Sequence, residues 1–254
     1  MITFSIITVV RNRADTIADA IESVAGQRHG GVSHIVIDGA STDGTLAVVE
    51  RYRERLSLVV SEPDRGIYDA MNKGLRAASA DVVGFLNADD VYADGGVLGE
   101  VAECFEDPSV EAVYGDLVYV SAADPSRVVR YWKSGEYRPG LFRTGWMPAH
   151  PTFFARRRVY ERYGGFDLSY RLQSDFDLTM RLMEVHRIRC RYLPRVLTRM
   201  RTGGATNSSV RNVIRGNLEA YRACRKHAPG VTPLFLVRKV LSRVPQFFAK
   251  PAPD

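Results

Sequence analysis

The residues best equipped for chemistry are carboxylates at the ends of apolar runs. Asn87-Ala88-Asp89-Asp90 closes the run DVVGFLN (Asp81–Asn87). Two adjacent carboxylates repel one another and are tolerated where a hard divalent cation or hydrogen-bond donors offset the charge. Mg²⁺ and Mn²⁺ take such oxygen ligands, commonly one or two carboxylates plus substrate phosphates, although an exposed acidic turn before a helix would look the same. Asp38 closes HIVID (His34–Asp38) and opens Asp38-Gly39-Ala40-Ser41-Thr42-Asp43-Gly44-Thr45. At a strand end Asp38 can accept hydrogen bonds from a base or ribose, while Asp43 or Thr42 caps the next helix. Between these clusters runs SEPDRGIYDAMNKG (Ser61–Gly74). Pro63 and Gly66 shape a loop there, and the helix that follows offers a positive N-terminus to phosphate or carboxylate. Asp69 and Lys73, at i and i+4, could also form a plain surface pair. In the second half Asp175 can serve as a general base or merely complement a helix N-terminus.

Elements must hold these groups. Phe4–Val10 (FSIITVV) reads as a buried strand, and Ala14, Ile17, Ala18, Ile21, Val24 and Ala25 recur at helical spacing up to Gly26. His34–Asp38 is a second strand, with a helix after Asp43-Gly44-Thr45. Leu58–Val60, Ile67–Ala78, Asp81–Asn87, Gly96–Phe105 and Ala112–Asp116 continue the alternation of strand and helix. The pattern predicts βαβ units on a parallel sheet, whose ligands sit beyond the carboxyl ends of the strands, where the acidic clusters fall. Beyond it, Leu117–Val120 and Arg127–Trp132 are expected as a hairpin. Ser174–Glu184 is expected as a helix capped by Ser174, with Asp177 at N3. Ile188–Leu193 and Val196–Met200 read as short strands around Pro194. Val210–Lys226 reads as a helix with Val210, Val213, Ile214, Leu218 and Tyr221 inward.

The ordered series SIITVVRNR, VIDGASTDGT, SEPDRGIYDAMNKG and GFLNADD resembles glycosyltransferase family 2 with the GT-A fold. Tyr163-Gly164-Gly165-Phe166-Asp167 and Ser174–Leu182 extend the likeness into the second half. The resemblance implies a single α/β domain with a Rossmann-like, mostly parallel sheet flanked by helices, an acceptor-side half and C-terminal helices. The boundaries it suggests are 1–120 for nucleotide-sugar binding, 121–230 for acceptor and base, and 231–254 for a basic tail. It implies an inverting enzyme that uses a nucleoside-diphosphate sugar, a UDP-sugar before a GDP-sugar, with Mn²⁺ or Mg²⁺. Val10, Arg11, Asp38, Asp64, Lys73, Asn87, Asp89 and Arg201 would surround the donor, with Asp38 on the base and Asp89 on the ribose. Asp90 would bind the metal and Asp175 would be the catalytic base. Many members carry Asp where this chain has Asn87, and Glu where it has Ser174. Met200–Thr206 resembles the family's glycine loop, in which Arg201 could touch the diphosphate; a plain turn fits too. His150 and Trp146 are acceptor-side candidates that equally suit structural roles. The acceptor would be a saccharide, free or lipid-linked, in cell-surface polysaccharide synthesis; direct transfer to a polyprenyl phosphate is the nearest alternative.

The chain has 254 residues, 45% hydrophobic and 25% charged, which excludes disordered and fibrous classes. Cys104, Cys190 and Cys224 are scattered with no CxxC pair, against a disulfide scaffold or zinc cluster. No GxGxxG follows the first strand and no GxxxxGK[ST] occurs, against dinucleotide oxidoreductases and P-loop NTPases. The net charge of +6 divides into −12 for residues 1–125 (9 Lys and Arg, 21 Asp and Glu) and +18 for 126–254 (26 and 8). A basic half suits phosphates or an anionic membrane, and in principle nucleic acid, but no RNP, KH or zinc-finger pattern accompanies it. Pro233–Lys250 mixes apolar residues with Arg238, Lys239, Arg243 and Lys250. It could lie on an anionic membrane or dock on the domain with its charges solvated. With neither a basic n-region at the N-terminus nor an apolar run of membrane-spanning length, the expected location is cytoplasmic, peripheral on the inner membrane face.

Overall fold

A computed structural model describes residues 1–203 and 209–247. Residues 204–206 of the glycine loop, with Phe248 and Lys250, lie outside the described residues. In chain order the strands and helices are β1 (Phe4–Val10), α1 (Ile17–Ala25), β2 (Val32–Asp38), α2 (Thr45–Arg51), β3 (Leu58–Ser61), α3 (Ile67–Ala77), β4 (Val82–Phe85), β5 (Asp90–Tyr92) and α4 (Val97–Cys104). They continue as β6 (Ala112–Val120), β7 (Val128–Trp132), β8 (Phe154–Arg156), α5 (Arg157–Tyr163), α6 (Ser174–Met180), β9 (Cys190–Arg201), α7 (Val210–His227) and α8 (Leu234–Leu241).

Among the described residues nine strands form one mixed sheet, in the order β3-β2-β1-β4-β8-β6-β9-β5, with β7 on β6. β1 to β4, β6 and β9 run one way; β5, β7 and β8 run the other. This is the mostly parallel α/β sheet that the strand–helix alternation predicts. All seven residues of β1 are buried because helices cover both faces of a central parallel strand. Side chains alternate accordingly. Ile7 and Val9 enter the core beneath α3 and α6, while Phe4 and Ile6 pack with α4 on the other side. α3 presses so closely that a Cβ on Gly74 would stand 2.4 Å from Ile7 Cγ2.

Several expectations change. Ala112–Asp116 and Leu117–Val120 are one strand, β6, and the segments on either side of Pro194 are likewise one strand, β9. The β6–β9 register slips between Tyr114↔Tyr192 and Asp116↔Val196, so Pro194 sits where a missing N–H breaks no regular ladder. The neighbour of β4 is the antiparallel β8, supplied from residues 154–156. Ser174 is the first helical residue rather than the cap: its hydroxyl donates to the Asp167 carbonyl, and the buried Asp177 takes His227 (2.9 Å) and Lys226 (3.3 Å).

α7 also faces largely the reverse of the expected way: of the residues expected inward, Tyr221 alone packs, half-buried, against the core. Val210, Val213, Ile214 and Leu218 are exposed, whereas Gly216, Glu219, Ala220, Ala223 and Cys224 are buried. Both stripes follow the helical period. The small one wins because it lets α7 approach α6 closely and because Glu219 accepts hydrogen bonds from the backbone N–H groups of Arg171 (3.0 Å) and Leu172 (2.7 Å). The segment 231–254, read as a tail, likewise contributes Phe235 to the core.

Glu219→Ala, which strands two backbone donors, is expected to destabilise by about 2–4 kcal/mol, whereas Ile214→Gln on the outer stripe stays within about 0.5 kcal/mol. Urea unfolding checks both; comparable losses would contradict this packing.

Candidate active site

The carboxyl ends of β1 and β4 and the loop after β3 open onto a cavity of about 710 Å³, closed on the far side by α6, the β6–β7 hairpin and the end of β9. The loops after β1 and β2 are cross-tied at its mouth. The Asn12 N–H donates to Ser41 Oγ and the Thr42 N–H to Asn12 Oδ1, each at 2.8 Å. Asn12 and Ala40 both sit at positive φ, a strain that such ties maintain.

Of the residues named from sequence, Val10, Arg11, Asp64, Asn87, Asp89, His150, Asp175 and Arg201 line this cavity; Asp38, Lys73, Asp90 and Trp146 do not. Asp38 is fully buried and accepts from the Ser41 N–H and hydroxyl and from Ser61 Oγ (2.6 Å), so it shapes the floor of the loop. Asp64, half-buried, lines the cavity instead, so close against Gly39 that a Cβ there would collide with its carboxylate. Lys73 binds Glu62 (2.8 Å) and the Pro63 carbonyl (2.7 Å), holding the 62–66 loop, and Asp69 bonds Arg65 rather than Lys73. Trp146 donates to the Ser134 carbonyl within a cluster of Tyr114, Tyr137 and Phe142.

Asp175 stands in the first turn of α6. Its Oδ1 accepts the Tyr68 hydroxyl at 3.0 Å and the Phe176 N–H at 2.9 Å. Tyr68 stacks on Phe166 with ring centroids 5.4 Å apart, and Phe166 is gripped by Asn72, which donates to its carbonyl and accepts its N–H, both at 2.9 Å. Burial and the Asp175 charge push the Tyr68 phenol well above its ordinary value, so it remains a donor. His150 packs against Phe85 and Phe166, and burial lowers its pKa, which keeps the imidazole neutral near pH 7.

At the Asn87–Asp90 corner, Asn87 Nδ2 donates to Asp90 Oδ2 (2.9 Å), while Asn87 Oδ1 and Asp90 Oδ1 are buried with no hydrogen-bond partner among the described residues. Burial and neighbouring Asp89 hold the Asp90 carboxyl well above its usual range. Unpaired buried oxygens on an acid and an amide are hard donors, suited to a Mg²⁺ or Mn²⁺ that completes its shell from a phosphate ligand. No cluster of three or more His, Cys, Asp or Glu side chains suited to a metal exists among the described residues, so such an ion would depend on its ligand. Asp89 reaches the cavity with Arg13 Nε 4.0 Å away. Arg201 pairs with Asp19, and its Nη1 is buried without a partner among the described residues.

Sequence reading missed Arg13, Tyr68, Tyr119, Arg130, Trp132, Arg171 and Arg243, all of which line the cavity. Arg13 and Tyr68 lie inside quoted motifs, so the signal was there; nothing local marks the others.

A mixed, mostly parallel sheet of this topology, flanked by helices and with a crevice beyond its acidic strand ends, is a GT-A-like fold. The model of the glycosyl transferase family 2 matches residues 5–164, and the chain belongs to that family. A PGL/p-HBAD biosynthesis glycosyltransferase of Mycobacterium bovis (strain BCG / Pasteur 1173P2) is 30% identical over 213 residues, 82% of this chain and 80% of the relative. The putative teichuronic acid biosynthesis glycosyltransferase TuaG of Bacillus subtilis (strain 168) is 38% identical over 91 residues, 35% of this chain and 36% of its own. Among solved structures, the fold resembles S. aureus TarS 1–349 in complex with UDP, with a TM-score of 0.65 and 19% identity over 89% of this chain and 66% of that one. It also resembles the mannosyltransferase PcManGT from Pyrobaculum calidifontis in complex with GDP-Man and Mn²⁺, with a TM-score of 0.60 and 19% identity over 99% of this chain and 77% of that one.

Tyr68→Phe keeps the ring stack but removes the hydroxyl that orients Asp175. We expect kcat to fall about tenfold, roughly 1.4 kcal/mol, with nucleotide affinity unchanged in an equilibrium titration. An unaltered kcat would mean that the hydrogen bond is idle.

Proposed function

We propose that the chain is an inverting, metal-assisted glycosyltransferase that moves a sugar from a nucleoside diphosphate, a UDP-sugar first, to a saccharide hydroxyl in the making of cell-surface polysaccharide or glycolipid. The observation that carries this reading is Asp175. It is a carboxylate fixed through Oδ1 by Tyr68 and the α6 backbone, in the wall of the cavity that also holds Asp64, Asn87, Asp89 and Arg201. The ligands named for the mannosyltransferase and the TarS complexes support the donor class.

In this reading Val10, Arg11 and Asp64 line the nucleotide end, with Asp38 positioning the loop beneath it and Lys73 bracing the loop that carries Asp64. Asp89 takes the ribose. Asn87 and Asp90 would hold the divalent cation, which when bound offsets charge on the diphosphate. Arg13 and Arg201 add positive charge to that region. The acceptor hydroxyl attacks the anomeric carbon as Asp175 takes its proton. The new C–O bond forms while the bond to the diphosphate breaks, and the electron pair leaves on the phosphate oxygen. One displacement inverts the anomeric centre. His150, neutral beside Asp175, and Trp132 face the acceptor; Trp146 supports them from behind.

The outer faces of α7 and α8 suit a membrane. Ile214, Leu218, Val237, Val240 and Leu241 are exposed, with Arg211, Arg215, Arg225 and Arg238 on the same two helices. Such a surface fits a headgroup boundary and a lipid-linked acceptor. No helix among the described residues is long and apolar enough to cross a membrane.

Asp175→Asn is expected to bind UDP normally while turnover falls about 10²–10⁴-fold, and NMR of the wild-type product is expected to show the inverted anomer. Normal turnover in that variant removes Asp175 as base, and a retained anomer removes the single displacement. Asp90→Ala is expected to abolish the Mn²⁺ dependence of UDP binding; equal titrations with and without Mn²⁺ in the wild type would count against the metal. Val237→Glu with Leu241→Glu, which spares the buried face of α8, is expected to reduce flotation with anionic vesicles, and undiminished flotation argues against membrane contact.

A further inference from the structure

α8 buries a lysine beside its core residue Phe235. Leu234, Val237, Val240 and Leu241 face outward, while Lys239 is buried and Arg243, just beyond the helix, lines the cavity. Gly145, at φ +84°, admits the stem of Lys239: a Cβ there would lie 2.3 Å from Lys239 Cβ. The Lys239 ammonium donates to Gln173 Oε1 at 3.0 Å and lies 5.6 Å from the centroid of Phe176, the residues on either side of Ser174-Asp175. A buried lysine with a neutral partner is costly. Burial and neighbouring Arg243 push it down to about 7.

Around it the same wall carries further cations. Arg243 has no hydrogen-bond acceptor or ion pair for its guanidinium among the described residues, and desolvation lowers its pKa. The Arg130 guanidinium lies 4.8 Å from the Tyr119 ring centroid, bonded to Gln246, and the approach of Arg243 lowers its pKa further. Arg171 completes the set, its backbone held by Glu219. Among the described residues, Asp175 is the carboxylate whose charge acts on Lys239 and Arg243. Like charges gathered in a partly dry wall are stabilised by an added anion with several acceptor oxygens, and guanidinium forks match phosphate geometry.

These cations come from β7, the segment before α6 and the residues after α8, not from the strand ends that line the donor region. From this juxtaposition, and resting on the glycosyltransferase reading above, we infer that Arg130, Arg171 and Arg243 form an anion subsite beside Asp175, which takes a phosphate group carried by the acceptor next to its attacking hydroxyl. Lys239 is a positioning residue, acting on Asp175 and Arg243 through charge and on Gln173 by hydrogen bond. The same phosphate chemistry exists in the diphosphate of the donor, and the test separates the two sources.

Inorganic phosphate is titrated into the full chain with and without saturating UDP, followed by tryptophan fluorescence, since Trp132 lines the cavity. Saturable phosphate binding that persists with UDP bound is expected. Arg243→Gln or Arg171→Gln should weaken it about tenfold while leaving UDP affinity within about twofold. In turnover assays the same variants should lose the preference of the wild type for a phosphorylated sugar over its unphosphorylated parent. Displacement of phosphate by UDP would assign these cations to the donor diphosphate and overturn the inference, as would an absence of saturable binding. Should Arg243→Gln unfold, Arg171→Gln, at an exposed side chain, decides the question. UDP binding is read in the same titration, so failure of the donor reading is seen separately from failure of the subsite.

Discussion

The hydrogen bond from the Tyr68 hydroxyl to Asp175 joins residues 107 positions apart, and much of the site depends on it. Tyr68 belongs to α3, pressed on the parallel sheet by Gly74. Asp175 belongs to α6, anchored through Asp177 to the end of α7. Neither element alone sets the position of the carboxylate relative to the strand ends. The stack of Tyr68 on Phe166, with Asn72 holding the Phe166 backbone, turns this contact into a rigid joint between the halves of the molecule. In the reading proposed for Asp175, such a joint would let the carboxylate meet a bound substrate without an ordering cost at the moment of reaction.

Electrostatics divides along the same seam. The N-terminal half, net −12, sends Asp64 and Asp89 into the cavity, tempered by Arg11 and Arg13; the C-terminal half, net +18, supplies Arg130, Arg171, Arg201 and Arg243. With Asp175 these make six arginines against three aspartates, so the lining as a whole is cationic, which suits phosphates. Among the described residues the buried atoms without a partner include Asn87 Oδ1 and Arg201 Nη1, which belong to side chains lining the cavity and so can be satisfied by a ligand there.

Much of this was legible in the sequence. The strand–helix alternation, the acidic strand ends, the glycine that ends α1 and the four ordered motifs are local, because strand and helix periods and turn chemistry are written over a few residues. The errors share one cause. Asp38 and Asp64 look alike in a motif, yet Ser41 and Ser61 bury one and Gly39 leaves room for the other. Trp146 and Trp132 are both aromatic residues near loops, yet only one lacks a backbone partner drawing it into an aromatic cluster. In α7 the apolar stripe lost to the small one because close approach and two backbone hydrogen bonds outweighed its area.

By itself the sequence determined the class of fold, the family and the carboxylates available at the strand ends, since each is encoded in short-range pattern. The tertiary structure decided which carboxylates face the cavity, that β8 enters beside β4, and that a cationic segment near the C-terminus turns inward to the site. The physical reason is that burial and pairing are set by contacts between residues tens to hundreds of positions apart. No local period distinguishes a side chain that will meet a partner there from one that will meet water.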